Sequence, residues 1–344
     1  MSLGLDLGST GVRCLSRSVR TLRGRRAPAC YVTLPGGQAE KLLLQRALIP
    51  YSACDGSFVI FGENAIELSR ALKIPCIPVF PEGRLPQQDP VGRQVAATLI
   101  ESVLPSKAPT GTAILVVAGE GLAGSQGTVD LAPFADRVLA LRGIRSLPLH
   151  AGTAAVLGGL GDREFTGVGL SVGAHATCLS VCVHGQPVAE FTIGRGCAGV
   201  DEVMAKSRGR YFFDGEGNRY LDVRAIAQWR ETSSVDLASP EGDDQDLLRS
   251  LVREWLLKAF SDFASKLEAL KIGRYVRSVS TMAITGGPSR MAGFDVLVAD
   301  ALRRAQLPLS MTEIRTGEAS DYTIARGALI AAELEEKVKA PKAA

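Results

Sequence analysis

Leucine or valine alternates with small or polar residues in two similar passages, about half a chain apart. The first is Leu3-Gly4-Leu5-Asp6-Leu7-Gly8-Ser9-Thr10-Gly11, and the second is Val168-Gly169-Leu170-Ser171-Val172-Gly173-Ala174-His175-Ala176-Thr177. Period-two alternation predicts half-buried strands. Each passage ends in a glycine turn and is followed by a second strand, over residues 12–19 and 178–183. Two hairpins with small-residue tips are therefore expected. Residues 36–75 break the rhythm with a glycine pair, an apolar run at 41–51, a strand at 58–61 and a helix at 63–71. Pro75, Pro78, Pro81 and Pro86 mark an irregular link. Val91, Val95, Leu99 and Val103 recur at helical spacing and predict a helix over 91–103. A strand at 113–118, a helix at 132–142, a strand at 146–149 and a small-residue helix at 152–161 follow. The second half repeats the plan. A hairpin at 168–193 leads to a helix at 200–208, then an irregular region, 209–245, with a turn at 214–218 and a short helix at 222–230. A long amphipathic helix spans 244–271, with Leu248, Leu251, Trp255, Leu256, Phe260, Phe263 and Leu267 on its apolar stripe. A strand at 278–285 meets Gly286-Gly287-Pro288, and helices at 293–305 and 322–338 close the chain before a tail at 339–344. Alternating strands and helices predict an α/β fold.

Composition narrows the class. The 344 residues allow two domains, and 46% hydrophobic content supplies a substantial core. A net charge of +3 is too small to imply a nucleic-acid partner. No window approaches a membrane span, and the chain enters a strand at once, so neither a membrane segment nor a signal peptide is expected. Seven cysteines without a CxxC pair read as reduced core thiols of a cytoplasmic protein. His150, His175 and His184 are too few and too scattered for a metal cluster. A basic stretch, Arg17, Arg20, Arg23, Arg25 and Arg26, has two readings. It is a solvated edge that discourages sheet-to-sheet pairing, or a peripheral contact for an acidic partner or anionic lipid.

The candidate chemistry sits at the turns. A hairpin tip of glycine and small hydroxyl residues points backbone N–H groups into one space, which cradles phosphate. Two facing tips would clasp the phosphates of one nucleotide. Gly8, Ser9, Thr10 and Gly11 form one candidate set, and Gly173, Ala174, His175 and Ala176 the other. Asp6 lies on an otherwise apolar strand, where a carboxylate needs a cation, a donor or water. It can hold Mg²⁺ through water beside the phosphates, or bond the local backbone. His175 can donate to a phosphate or point to solvent. The glycines of Thr285-Gly286-Gly287, between a strand and a helix, permit close approach of a flat ligand or phosphate. Residues 196–201 link the second hairpin to its helix, and Asp201 is a candidate N-cap there.

The order hairpin, insertion, hairpin, insertion, strand-Gly-Gly-helix and final small-residue helix resembles the ATPase superfamily of actins, heat-shock chaperones and sugar kinases. Within it the chain is similar, over nearly its whole length, to bacterial actins of the MreB and magnetosome type. Phe61-Gly62-Glu63-Asn64-Ala65, Val79-Phe80-Pro81-Glu82-Gly83, Ala154-Ala155-Val156-Leu157-Gly158 and Ala325-Arg326-Gly327-Ala328 resemble segments of that family. Ile284-Thr285-Gly286-Gly287 resembles its adenosine motif, which makes Gly286, Gly287 and Pro288 the candidate adenosine contacts. The resemblance implies an actin-like fold of two α/β halves with a nucleotide cleft between them. The halves are residues 1–150, with an insertion at about 36–75, and 151–338, with an insertion at about 202–275. The last helix is expected to pack back on the first half.

Departures from the family are equally informative. Ser171 stands where the family has a second metal-holding Asp. Ala151 stands where the family has the Glu or Gln that positions the attacking water. His150, adjacent in sequence, is a candidate substitute, and His175 is another. The resemblance therefore implies a cytoskeletal protein that binds ATP or ADP, with Mg²⁺ possible. It would assemble head-to-tail into filaments and hydrolyse slowly or not at all. Alternatives within the superfamily are a non-polymerising scaffold of the pilus-assembly type with a protein partner, a small-molecule kinase, and a pseudo-ATPase with an empty cleft.

Overall fold

The computed structural model describes residues 2–18, 21–106, 112–117, 128–213, 217–272, 276, 278–316 and 321–339. Val19, Arg20, Ala118, residues 214–216 of the expected turn and residues 340–344 of the tail lie outside them. The first 148 residues carry β1 (Leu3–Gly8), β2 (Gly11–Arg17), β3 (Leu22–Pro28), β4 (Cys30–Pro35), α1 (Gln38–Arg46), β5 (Ser52–Cys54), β6 (Ser57–Phe61), α2 (Glu63–Leu72) and β7 (Ile77–Pro78). They continue with β8 (Leu85–Pro86), α3 (Pro90–Val103), β9 (Thr112–Val117), β10 (Thr128–Val129), α4 (Leu131–Ala140) and β11 (Arg145–Pro148). The rest carries α5 (Ala151–Gly159), β12 (Gly167–Val172), β13 (Thr177–Val183), β14 (Gln186–Ile193), α6 (Cys197–Ser207), β15 (Tyr211–Phe213) and β16 (Arg219–Leu221). It ends with α7 (Val223–Thr232), α8 (Gly242–Ala269), β17 (Thr281–Thr285), α9 (Phe294–Ala305), β18 (Glu313–Thr316) and α10 (Thr323–Lys339).

Two five-stranded sheets share one topology. Their orders are β3-β2-β1-β9-β11 and β14-β13-β12-β17-β18. In each, the first three strands are antiparallel and the last two run parallel to the central one. The alternation seen in the sequence explains why. Leu3, Leu5 and Leu7 of β1 enter a core with Val95 and Leu99 of α3, while Gly4, Asp6 and Gly8 face the other way. That other face is crossed by α10 so closely that a Cβ at Gly4 would stand 2.1 Å from the Ala325 carbonyl oxygen. The second sheet is crossed by α5 in the same manner, and a Cβ at Gly169 would lie 1.9 Å from the Gly152 oxygen. Alanines of α5 and α10 share a core with Ile114 and Val116 of the first sheet and Cys178 of the second. Small residues are thus what let two helices fit between two sheets.

Some expected boundaries move. β2 ends at Arg17, because Ser18 already turns the chain by donating its N–H to the Thr21 oxygen. A separate four-stranded sheet, β5-β6-β4-β7, begins at Cys30 and carries α1 and α2. The start of the apolar run at 41–51 is helical and belongs to α1. α6 begins at Cys197, with Gly196 at its N-cap position, so Asp201 is not a cap. Asp201 is buried inside the helix and takes a bidentate ion pair from Arg230 of α7, with Nε–Oδ1 and Nη2–Oδ2 both 3.0 Å. A carboxylate that far into the helix meets no free backbone N–H, and the guanidinium fork satisfies it instead. The basic stretch is largely bonded within the chain. Arg17 pairs with Glu333, Arg25 donates to the Leu104 carbonyl and Arg26 pairs with Asp321. Among the described residues no helix is long and apolar enough to cross a membrane.

Candidate functional site

The two hairpin tips meet. A 3.0 Å hydrogen bond joins His175 Nδ1 at the β12–β13 tip to Ser9 Oγ at the β1–β2 tip. Each tip closes on an equivalent cross-strand pair, Gly8 with Gly11 and Gly173 with Ala176.

α6 orients the second tip. The Cys197 and Ala198 amides donate to the Gly173 and Ala174 carbonyls. In a trans peptide the C=O and the next N–H point in opposite directions. The amides of Ala174 and His175 therefore point away from α6. Gly196 permits this docking, since a Cβ there would lie 2.4 Å from the Gly173 oxygen. The amide of Gly199 donates to Gly196 O, so the first turn of α6 is spent on the protein itself. From below, Trp255 of α8 donates Nε1–H to Thr177 Oγ1, and that hydroxyl donates to the Arg195 carbonyl.

Burial lowers the pKa of His175, opposed by the nearby Glu82 carboxylate, so the imidazole is neutral at pH 7. A cavity of about 700 Å³ opens beside this tip. Ala174 and His175, the 194–196 loop, one face of α6, and Glu254 and Trp255 of α8 line it. Glu82 and Arg84 reach it from the stretch before α3. Gly286, Gly287 and Pro288 are not part of that lining. Their turn abuts β12, where a Cβ at Gly286 would lie 2.0 Å from the Val172 oxygen, whereas Gly287 has nothing within 4 Å of its Cβ position.

The first tip holds a group that the sequence reading missed. Hairpin register sets Arg13 directly across from Asp6, and Nη1 lies 3.4 Å from Asp6 Oδ2. The same nitrogen is 3.4 Å from the Gly11 carbonyl. Burial raises the Asp6 pKa, and Arg13 partly offsets this. The available clue was a lone arginine inside an otherwise apolar strand, at hairpin distance from a lone aspartate. Arg84 and Arg195 were also missed. Each sits beside glycine, where a backbone turn brings a cation to the cavity.

His150 is not free to position water. It caps α5, its Nδ1 accepting from the Gly152 amide at 3.2 Å while Nε2 bonds Thr192 Oγ1 at 2.9 Å. Accepting at Nδ1 places the proton on Nε2, which therefore donates to Thr192. Burial lowers its pKa, which keeps it neutral. Ala151 follows as the first residue of α5, a buried methyl with no polar group to offer.

Comparison with known proteins bears on the fold. The structure of a MamK double helical filament superposes with a TM-score of 0.67 at 17% identity, over 96% of this chain and 98% of that one. MreB5 of Spiroplasma citri bound to ADP gives 0.62 at 15% identity, over 98% and 97%. The same protein bound to AMPPNP gives 0.63 at 14% identity, again over 98% and 97%. These likenesses establish an actin-like fold. No curated protein matches the sequence significantly. With the sequence model of the Volactin family matching residues 1–332, the chain belongs to that family.

Proposed function

We propose that this chain binds an adenine nucleotide at its two hairpin tips and self-associates head-to-tail into filaments, with slow or absent hydrolysis. The observation that carries the reading is the His175–Ser9 bond. It brings two small-residue tips, from two separate sheets, to one point beside a cavity. Amides at the second tip that are turned away from α6 and open space at Gly287 suit phosphates and a flat base. The solved relatives include one captured as a filament and one bound to ADP or AMPPNP, which supports the same reading. A heterologous contact that does not close on itself propagates as a filament. Slow hydrolysis follows from Ala151 and from the engagement of both His150 ring nitrogens, since phosphoryl transfer depends on positioned groups.

The test is electron microscopy and pelleting of the purified protein with ADP, with AMPPNP and with neither, alongside thermal unfolding. Ligand at a hundredfold excess over Kd should stabilise the fold by about 2.7 kcal/mol. Filaments should form and phosphate release should stay slow. Absence of any thermal shift with either nucleotide rejects the binding half of the proposal. A monomer at tens of micromolar in every nucleotide state rejects the filament half.

A further inference from the structure

We propose that the chain binds the polyphosphate of its nucleotide without a divalent cation, the Arg13 guanidinium supplying the positive charge at the first hairpin. This rests on the nucleotide-binding reading above and deepens it.

A hydrated magnesium ion beside phosphates needs carboxylates free to face its water shell. The donor set does not fit that need. Asp6 already faces a cation, with Oδ2 3.4 Å from Arg13 Nη1. Its counterpart in the second hairpin is Ser171, whose cross-strand neighbour is Cys178, so that strand pair presents a neutral alcohol and thiol in place of a carboxylate and a guanidinium. Among the described residues no group of three or more His, Cys, Asp or Glu side chains is arranged to hold a metal. A divalent ion beside Asp6 would also share the carboxylate with a guanidinium of like charge.

Arg13 has spare capacity for an anion. Its contacts to Asp6 Oδ2 and the Gly11 oxygen are both long, at 3.4 Å, and both use Nη1. Nε is buried and finds no acceptor among the described residues. The guanidinium lies over the tip backbone. A Cβ at Gly8 would stand 3.5 Å from Nη1, and one at Gly11 3.9 Å from Nη2. Arginine holds its charge at any working pH and presents a fork that suits phosphate oxygens.

The experiment is calorimetric titration of the full chain with ADP and AMPPNP, in Mg²⁺ and in EDTA. Affinity in EDTA should stay within about threefold of that in Mg²⁺. Arg13→Gln should weaken binding by about tenfold or more in both buffers. Arg13→Lys should recover part of that loss, which separates charge from folding. Asp6→Asn should bind more tightly in EDTA, because it removes the anion competing for Arg13. Binding that appears only with Mg²⁺ overturns the proposal, as does an Asp6→Asn variant that loses Mg²⁺-dependent binding. Absence of binding in both buffers overturns the nucleotide reading itself and is distinct from either result.

Discussion

The β1–β2 and β12–β13 hairpins occupy equivalent places in sheets of the same strand order, yet only one carries charge. Asp6 faces Arg13 across the first hairpin, and Ser171 faces Cys178 across the second. What they share is shape. Gly4 and Gly169 stand at matching positions, and each admits the backbone of a crossing helix. Steric demands at those two sites follow from topology, so they recur wherever the topology recurs. Charge is set by what each tip must balance, and the two tips differ in that. The second region keeps its buried ion pair one layer away, between Asp201 of α6 and Arg230 of α7.

The comparison can be broken first at the shared glycines. Gly169→Ala sets a Cβ 1.9 Å from the Gly152 oxygen, and Gly4→Ala sets one 2.1 Å from Ala325 O. Backbone atoms cannot step aside as a side-chain end can, so each variant should lose more than about 4 kcal/mol or fail to fold. Gly199→Ala is the control, since nothing lies within 4 Å of its Cβ position in helix α6. It should gain about 0.5–1 kcal/mol in urea unfolding. Equal tolerance at all three sites would contradict the close helix crossing.

The next effect lies at the buried pair that backs the second tip. Arg230→Ala leaves Asp201 buried without its partner and should cost about 3–5 kcal/mol. Hydrogen exchange should accelerate in α6 and the β12–β13 tip and remain slow in β1 and β2. Uniform acceleration in both hairpins would mean that the regions do not respond separately.

Converting one hairpin's charges to the other's sharpens the comparison further. Arg13→Cys alone strands a half-buried carboxylate and should cost about 1–3 kcal/mol. Adding Asp6→Ser should restore much of that, with a coupling of at least about 0.5 kcal/mol in a double-mutant cycle. Additive losses would show that the 3.4 Å contact carries no energy.

The smallest effect is on pH dependence. Burial lowers the pKa of both His150 and His175. The unfolded chain then takes up more protons in acid than the folded one. Both histidines therefore destabilise the fold as pH falls below the ordinary histidine value of about 6.5, and neither matters well above it. His150→Asn keeps a capping side chain and removes one titration. The drop in Tm between about pH 7.5 and about pH 5.5 should shrink in this variant and shrink further with His175→Asn. An unchanged drop would assign the acid sensitivity to other groups.

Much of the architecture was legible because it is written in local pattern. Leu3, Leu5 and Leu7 alternate with small or polar residues, the tips are glycine and small residues, and the alanines of 154–155 announce a tightly packed helix. The closing helix at 322–338 and the strand before Gly286 lie within a few residues of α10 and β17. Harder to see was α1, because its polar face leaves a weak helical stripe and Leu42, Leu43 and Leu48 are exposed. Asp201 read as a cap because its partner Arg230 is distant in sequence, and nothing local distinguishes a capping carboxylate from a paired one.

The sequence by itself determined the repeated strand-turn-strand plan, the two small-residue tips, and the absence of a polar side chain at Ala151. Those features depend on residue size, polarity and spacing along one chain. Only the tertiary structure decided that His175 reaches Ser9, that the Ala174 and His175 amides point away from α6, and that His150 is occupied as a cap. It alone decided that Arg13 sits over the first tip against Asp6. Each of these depends on register between strands or on contact between elements far apart in sequence. Such contacts are set by how two sheets close around two small-residue helices, a property of the packed core that no local stretch of the chain carries.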